Sequence, residues 1–301
     1  MHRTMLAAAL ALTVLSSAVA APAPTLTLEK IMAEPDWIGS PVVGPYWSAD
    51  AKAVYYHLKR SASPIRDLHR IDLGSGSDSV VDASAMANAD GPPVYDAAGR
   101  QAAFVRNGDV FVRDVASGGL RQITRTPGAE SEPRFSADGR MLTFRSGHDW
   151  FVHDIATGVT APAAVLKTEK DPDASKPDDL RDLQLRLFTT LKRNHDDKRT
   201  LRQHADDMQK ADPTRAPLPF YLGDDIKLLD SDVSPDGRWL LVVTAKKTED
   251  GRHGDLMRYV TESGYEEVEK ERVRVGRNPP LSQSVQLLDL IAHQAYPLSL
   301  D

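Results

Sequence analysis

The chain of 301 residues contains no cysteine. Disulfides and thiolate metal sites are therefore excluded in any redox compartment, and the fold must be stabilised by packing. A basic stripe is also missing, because 37 Lys and Arg residues against 43 Asp and Glu residues give a net charge of −6 that is spread along the chain. Phosphate binding needs such a stripe, so we expect no nucleic-acid partner.

Long apolar runs are scarce as well. The run from Met5 to Leu15 is too short for a membrane-spanning helix of about 20 residues, and no later segment approaches that length, so we expect no membrane insertion. With the basic Arg3 before it and small residues up to Ala20 after it, this run is typical of a secretory signal peptide over residues 1–20. Cleavage after Ala20 would make the protein periplasmic or secreted.

The common signatures of catalysis and cofactor binding are absent from the sequence. There is no G-x-S-x-G nucleophile elbow, no phosphate-binding G-x-x-x-x-G-K-[ST] and no dinucleotide-binding G-x-G-x-x-G. No Ser-His-Asp triad can be assembled from the sequence alone. We therefore assign no catalytic residue, no metal ligand and no cofactor.

An internal repeat is present instead. Four times, a small polar residue and a turn of the Asp-Gly-Arg kind precede an apolar strand. The copies read YWSADAKAVYYH from Tyr46, VYDAAGRQAAFV from Val94, RFSADGRMLTFR from Arg134 and DVSPDGRWLLVV from Asp232. Glycine reaches positive φ without steric cost, which favours tight turns at Gly139 and Gly237. Ala51 replaces the glycine in the first copy, so we expect that turn to differ.

A second pattern follows each turn, in which an apolar strand ends in aspartate and, in three of the four copies, meets a Ser-Gly or Thr-Gly corner. Its copies are centred on Asp72, Asp114, Asp154 and Asp289. Each unit then supplies four strands in succession, which is one propeller blade. The sequence therefore predicts an all-β fold, namely a β-propeller of four-stranded blades. About four blades are recognisable in the sequence, and the propeller that they form can be incomplete.

The repeat spacing predicts the domain organisation. The turn position moves by 48 and then 40 residues from Ala51 to Gly99 and Gly139, close to one blade length, but by 98 residues to Gly237. The predicted organisation is a signal peptide at 1–20, a linker and lead-in strand at 21–45, three blades at 46–166, a charged helical insertion at 167–222, and a further blade with an inserted hairpin at 223–301.

The insertion carries an apolar stripe at helical spacing. Leu180, Leu183, Leu187 and Leu191 fall on one face, with Phe188 beside them. We expect this stripe to dock on the propeller; a homodimer contact or a lid is the alternative. Nearby histidines and aspartates, His195, Asp196, Asp197, His204, Asp206 and Asp207, are interpreted as a solvated charged face rather than a metal site.

A second insertion, inside the last blade, contains the candidate binding residues. Alternation from Tyr265 to Val275 predicts an extra hairpin strand. The adjacent carboxylates of Glu266 and Glu267 could hold a substrate ammonium group if they faced a cavity. Solvated charges that protect a strand edge from aggregation explain them equally well.

The segments FSADGRMLTF and VSPDGRWLLV, with strands ending in Asp-Leu or Asp-Ile before a Ser-Gly or Thr-Gly corner, carry a family resemblance. Over residues 25–301 the chain resembles the amino-terminal β-propeller of exported prolyl oligopeptidase-family serine peptidases, near the dipeptidyl peptidase IV-like and acylaminoacyl-peptidase-like branch. In that family an α/β-hydrolase domain follows the propeller, which admits only short or flexible peptides. The resemblance implies a chain truncated before its hydrolase domain, with peptide substrates as partners through that missing domain.

Two functions are open at this stage. The first is the substrate-gating portion of a periplasmic or secreted serine peptidase. The second is a stand-alone protein-binding scaffold like the Tol-pathway propeller, which shares the blade motifs.

Overall fold

The computed structural model describes residues 27–33, 39–61, 63–172, 178–212, 214–247, 253–273 and 282–299. The expected signal peptide at 1–20 therefore lies outside the described residues. A short helix, α1 Leu28–Ala33, precedes the first strand.

Four antiparallel sheets of four strands follow one another along the chain. The first contains β1 Val43–Trp47, β2 Ala53–Lys59, β3 Arg66–Asp72 and β4 Asp78–Val80, and the short helix α2 Ala83–Met86 follows it. The second contains β5 Val94–Tyr95, β6 Gln101–Arg106, β7 Asp109–Asp114 and β8 Leu120–Gln122. The third contains β9 Glu130–Phe135, β10 Met141–Ser146, β11 Asp149–Asp154 and β12 Thr160–Ala164.

The fourth sheet follows a helical insertion and is itself interrupted by a hairpin. The insertion consists of β13 Leu166–Lys167, α3 Asp179–Leu187, α4 Thr189–Ala211 and β14 Phe220–Tyr221, with β13 and β14 paired in parallel. The sheet contains β15 Ile226–Val233, β16 Trp239–Lys246, β19 Gln283–Asp289 and β20 Gln294–Leu298, with the hairpin β17 His253–Arg258 and β18 Glu267–Val273 between β16 and β19. The predicted four-stranded sheets and the helical insertion are confirmed, and the meander order is that of propeller blades.

The first-to-second strand turns of the first, third and fourth sheets share one hydrogen-bonding scheme, whereas in the second sheet Asp96 replaces the serine and accepts from the amides of Arg100 and Gln101. In the third sheet Ser136 Oγ donates to Asp138 Oδ1 at 2.6 Å and accepts from the Met141 amide at 3.0 Å. Gly139 holds φ at 70°. Ala51 occupies the same position in the first sheet with φ 56°, and Ser48 repeats the serine's two bonds. The expectation that the alanine turn differs is therefore wrong: the serine and aspartate bonds hold the alanine in the left-handed region.

The aspartates that end the third strands cap the next turn. The Asp154 carboxylate accepts from the amides of Ala156 and Thr157 at 2.8 and 2.9 Å. Donation from backbone amides is the largest cause that holds the pKa below its usual range at all four repeat positions, Asp72, Asp114, Asp154 and Asp289. The recurring aspartate is thus explained by turn formation, without a catalytic role.

Neighbouring sheets pack face to face through apolar side chains. Ala103 and Val112 of the second sheet meet Leu142 and Phe144 of the third in one buried cluster. A larger cluster joins the third sheet to the fourth around the fully buried Trp150, whose indole donates to Ser231 Oγ at 2.9 Å. The core is therefore divided among the sheet interfaces, as expected for stacked blades.

The helical insertion does not bury its apolar stripe. Asp178 caps α3 by accepting from the amides of Leu180 and Arg181, and the helix ends at Leu187 before Phe188 takes up an extended conformation. The five stripe residues named in the sequence analysis remain between 45% and 66% exposed. The prediction that the stripe docks on the sheets is therefore wrong. The spacing of the apolar residues determines that they share one helix face, but it does not determine whether another element packs against that face. No helix among the described residues is long and apolar enough to cross a membrane.

Candidate binding site

The structure places Glu266 and Glu267 at the tip of the hairpin, where both side chains are exposed. Glu267 accepts a hydrogen bond from Ser263 Oγ at 2.6 Å. Neither glutamate lines any of the clefts described below. Their role as ligands for a substrate amine stays a prediction.

The histidines and aspartates of α4 lie on an exposed helix surface. His195 Nδ1 lies 3.6 Å from Asp196 Oδ1, and both side chains are nearly half exposed. Within the described ranges, no group of three or more histidines and acidic residues is arranged to hold a metal ion.

A buried ion pair joins the first two sheets. Asp90 follows α2, and its Oδ1 accepts from Arg113 Nε at 2.5 Å while its Oδ2 accepts from the Ala49 amide at 2.9 Å. The remaining guanidinium donors of Arg113 reach the carbonyls of Gly118 and Asn88, both at 2.7 Å. Because every group already has a partner, this network acts as a structural joint and offers no free atom to a ligand.

The joint positions a cleft lined by aromatic and proline side chains. The cleft has a volume of about 870 Å³. Its lining residues are Pro45, Tyr46, Trp47, Ala51, Leu73, Pro92, Pro93 and Tyr95. Trp47 leaves 56% of its surface exposed, so a large apolar ring faces solvent at the cleft. We call this feature the aromatic–proline cleft.

The tyrosines of the cleft are fixed by their hydroxyl groups. Tyr46 Oη donates to the Asp90 carbonyl at 2.8 Å, and Tyr95 Oη donates to the Ala49 carbonyl at 3.0 Å. Burial, followed by the neighbouring Tyr55 and Asp90, raises the pKa of Tyr46 to about 12. The hydroxyl therefore stays protonated at neutral pH, and the ring is held in place.

Close backbone packing brings the two prolines to the cleft. Gly91 lies so near β6 that a methyl group there would overlap the carbonyl oxygen of Val105. Only glycine allows this approach, and the Pro92-Pro93 segment that follows it lines the same cleft as Trp47. The GPP sequence and the PYW of β1 are visible in the sequence, but their proximity depends on the tertiary joint at Asp90.

A second, smaller cleft of about 370 Å³ lies where the third and fourth sheets meet. Arg134 Nη1 and Asp232 Oδ2 form an ion pair across it at 2.6 Å. Both partners are nearly half exposed, so solvent screens the pair and its contribution to stability is small. Asp236 also lines this cleft, and its carboxylate accepts hydrogen bonds from Ser234 Oγ and the Arg238 amide.

Comparison with known proteins identifies no family. No family model matches the sequence, and no curated protein matches it. Among solved structures, TolB from Acinetobacter baumannii is 14% identical with a TM-score of 0.34, over 86% of this chain and 44% of that one. Dipeptidyl peptidase 4 from Porphyromonas gingivalis is 12% identical with a TM-score of 0.37, over 91% and 35%.

The β-propeller domain of the Trilobed protease from Pyrococcus furiosus is 11% identical with a TM-score of 0.33, over 86% of this chain and 70% of that one. The chain spans less than half the length of the first two structures. At these values the likenesses decide nothing about function, and the fold assignment rests on the sheets themselves.

Proposed function

We propose that this chain is a peptide-binding module of an exported protein, and that the aromatic–proline cleft holds extended peptide segments. The observation that carries the proposal is the exposed Trp47 ring in a cleft whose other walls are mainly tyrosine and proline side chains, with Ala51 and Leu73. Aromatic-lined grooves bind extended, proline-containing peptides because those peptides lose little conformational entropy on binding.

The rigidity of the cleft supports the same function. The two tyrosine hydroxyls are bonded to backbone carbonyls, and the loop before Pro92 is held by the Asp90 joint. Binding would therefore order few protein side chains, which limits its entropic cost.

A labelled peptide rich in proline and leucine tests the cleft directly by fluorescence anisotropy. Trp47→Ala should weaken binding at least roughly tenfold, because a large aromatic anchor is lost. Tyr259→Ala is the matched control, since Tyr259 is an exposed aromatic residue near the hairpin and outside the cleft. Equal affinity of the Trp47→Ala variant and the unaltered chain would overturn the proposal.

In its specific form, the module is the substrate-gating portion of a periplasmic or secreted serine peptidase whose hydrolase domain lies outside these 301 residues. Support comes from the blade motifs and their resemblance to the prolyl oligopeptidase propeller. The alternative is a Tol-type protein-binding scaffold, which would use the same cleft to hold a partner protein.

A fluorophosphonate probe separates these two forms. The probe should label a longer product of the same locus and leave the 301-residue chain unlabelled if the module gates a serine peptidase. Labelling of neither product would reject the gating role and leave the scaffold.

A further inference from the structure

A polar cleft lies between the first and second sheets. Its wall includes Tyr55 and the charged residues Asp50, Lys52, Arg70, Asp90 and Arg113. Three of the charged side chains are positive and two are negative, so the wall carries one net positive charge. The whole chain has a net charge of −6. The polar cleft is therefore a locally positive site on a chain that is negative overall.

Lys52 is only loosely paired with the acid nearest to it. The Asp90–Arg113 pair is satisfied within its own network, which leaves Lys52 and Arg70 against the single carboxylate of Asp50. Lys52 Nζ lies 4.0 Å from Asp50 Oδ2, which is beyond hydrogen-bond distance. Asp50 Oδ1 already accepts two hydrogen bonds within the turn. The Lys52 ammonium is therefore available to a further anion.

Arg70 also keeps donor groups that the protein does not use. A guanidinium has five N–H donors. Among the described residues, Arg70 makes one long hydrogen bond, from Nη2 to Asp72 Oδ2 at 3.4 Å. Arg70 pairs in register with Tyr55, so the two side chains lie on the same face of the first sheet. A ligand in the polar cleft can therefore contact both.

Tyr55 brings a buried hydroxyl group to the same wall. Its residue is 6% exposed and lines the polar cleft. The hydroxyl groups of Tyr46, Tyr56 and Tyr95 each donate to a carbonyl or carboxylate oxygen. In the part of the chain that the structure describes, the Tyr55 hydroxyl has no such partner. Buried polar groups normally have one, so this hydroxyl is a donor for a ligand in the cleft.

The β1–β2 turn lies between the polar cleft and the aromatic–proline cleft. Ala51 lines the aromatic–proline cleft, and its neighbours Asp50 and Lys52 line the polar cleft. The stacked rings of Tyr46 and Tyr55 belong to one wall each, with centroids 5.4 Å apart. An extended peptide advances about 3.3 Å per residue, so a segment of a few residues can reach both clefts.

We propose that the polar cleft is a carboxylate site, which holds an acidic side chain or the C-terminus of the peptide bound at the aromatic–proline cleft. The identity of this ligand rests on the proposed function. Arg70 and the Tyr55 hydroxyl donate to the carboxylate oxygens, and Lys52 supplies a further positive charge. One negative charge balances the wall. A phosphate group, with a charge of about −1.5 to −2, would leave negative charge in excess beside Asp50.

Fluorescence anisotropy with matched peptides tests this site. One pair of labelled proline- and leucine-rich peptides ends in a free carboxylate or an amide, and a second, amide-ended pair contains glutamate or glutamine. We expect the unaltered chain to favour the carboxylate member of one pair at least roughly tenfold, because its charged hydrogen bonds are lost in the other member. A favoured free end assigns the C-terminus, and a favoured glutamate assigns an acidic side chain. General attraction cannot cause this preference, since the chain is negative overall.

Variants in the wall locate the preference. Arg70→Gln and Tyr55→Phe should each reduce it at least roughly threefold and leave the affinity for the uncharged member unchanged. Arg66→Gln is the matched control, because Arg66 is an exposed arginine on the same strand, outside both clefts. This variant removes the same charge and should keep the full preference. Circular dichroism checks that every variant folds.

Two results would overturn the carboxylate site and leave the proposed function intact. The first is equal binding of both members in each pair, with Trp47→Ala weakening all of them. The second is a preference that Arg70→Gln does not reduce.

If no peptide binds, the proposed function fails, and N-acetylglycine tests the carboxylate site alone. This probe should shift the Arg70 Nε–Hε resonance in NMR spectra, which is identified by its absence from the Arg70→Gln spectrum. A shift would retain the site, and a resonance unmoved at every probe concentration would reject it.

Discussion

The turn at Ala51 makes a quantitative prediction, because a non-glycine residue there holds φ at 56°. An L-residue in the left-handed region costs about 1–2 kcal/mol. Ala51→Gly removes that strain but gives the unfolded chain more freedom, which offsets about 0.4–1 kcal/mol. The side chain is exposed, so little burial is lost. We expect the free energy of unfolding to rise by about 0.5–1 kcal/mol, or about 2 °C in Tm.

The reverse change at the equivalent position is the matched control. Gly237 has φ 72°, and a methyl group there would meet no atom within 4 Å. Gly237→Ala should therefore lower the free energy of unfolding by a similar amount through backbone conformation alone. Urea denaturation followed by far-UV circular dichroism measures both variants, with an unchanged m-value as the condition for comparison. A neutral or destabilising Ala51→Gly, with Gly237→Ala destabilising, would refute the reasoning.

Two further predictions concern buried polar groups. Asp90→Ala leaves the Arg113 guanidinium buried without its carboxylate, and it should lower the free energy of unfolding measured in urea by about 3–5 kcal/mol. Glu269→Ala breaks the exposed ion pair with Arg258 and should lower it by at most about 1 kcal/mol. Equal losses would contradict the structural role of the buried Asp90–Arg113 pair. Burial, with the nearby Arg121 charge, lowers the pKa of His153, so its neutral form stabilises the fold above the unfolded pKa of 6.5 and that contribution is lost as pH falls below it. His153→Gln should therefore reduce the loss of unfolding free energy between about pH 7.5 and about pH 5.5. Part of the pH dependence should remain because burial also lowers the pKa of His293. An unchanged pH dependence in the variant would contradict the role of His153.

The strands and turns could be predicted because their causes are local. In the first, third and fourth sheets the serine and aspartate of the turn bond backbone atoms within a few residues, so the motif at Ser136 identifies the turn where it recurs. The conformation of Ala51 could not be predicted, because nothing in the sequence indicates that this alanine adopts a positive φ. The hydrogen bonds of Ser48 set the geometry of this turn, and they form with alanine at position 51 as they do with glycine in the other turns.

The helical stripe and the cleft could not be predicted, because both depend on what lies opposite. The spacing of Leu180, Leu183 and Leu187 fixes an apolar face but not its cover, and the structure leaves it exposed. Trp47 and Pro92 are 45 residues apart in the sequence and meet because Asp90 binds Arg113. The adjacent charges of Glu266 and Glu267 suggest a site for an amine, whereas aromatic residues and prolines line the cleft.

Hydrogen exchange in the presence of a proline- and leucine-rich peptide tests peptide binding at the aromatic–proline cleft most directly. The peptide should slow amide exchange in β1 and around Tyr95, where the cleft walls lie, and should leave the hairpin β17–β18 unchanged. Protection confined to the hairpin around Glu266 and Glu267, or no protection at a saturating peptide concentration, would contradict the account.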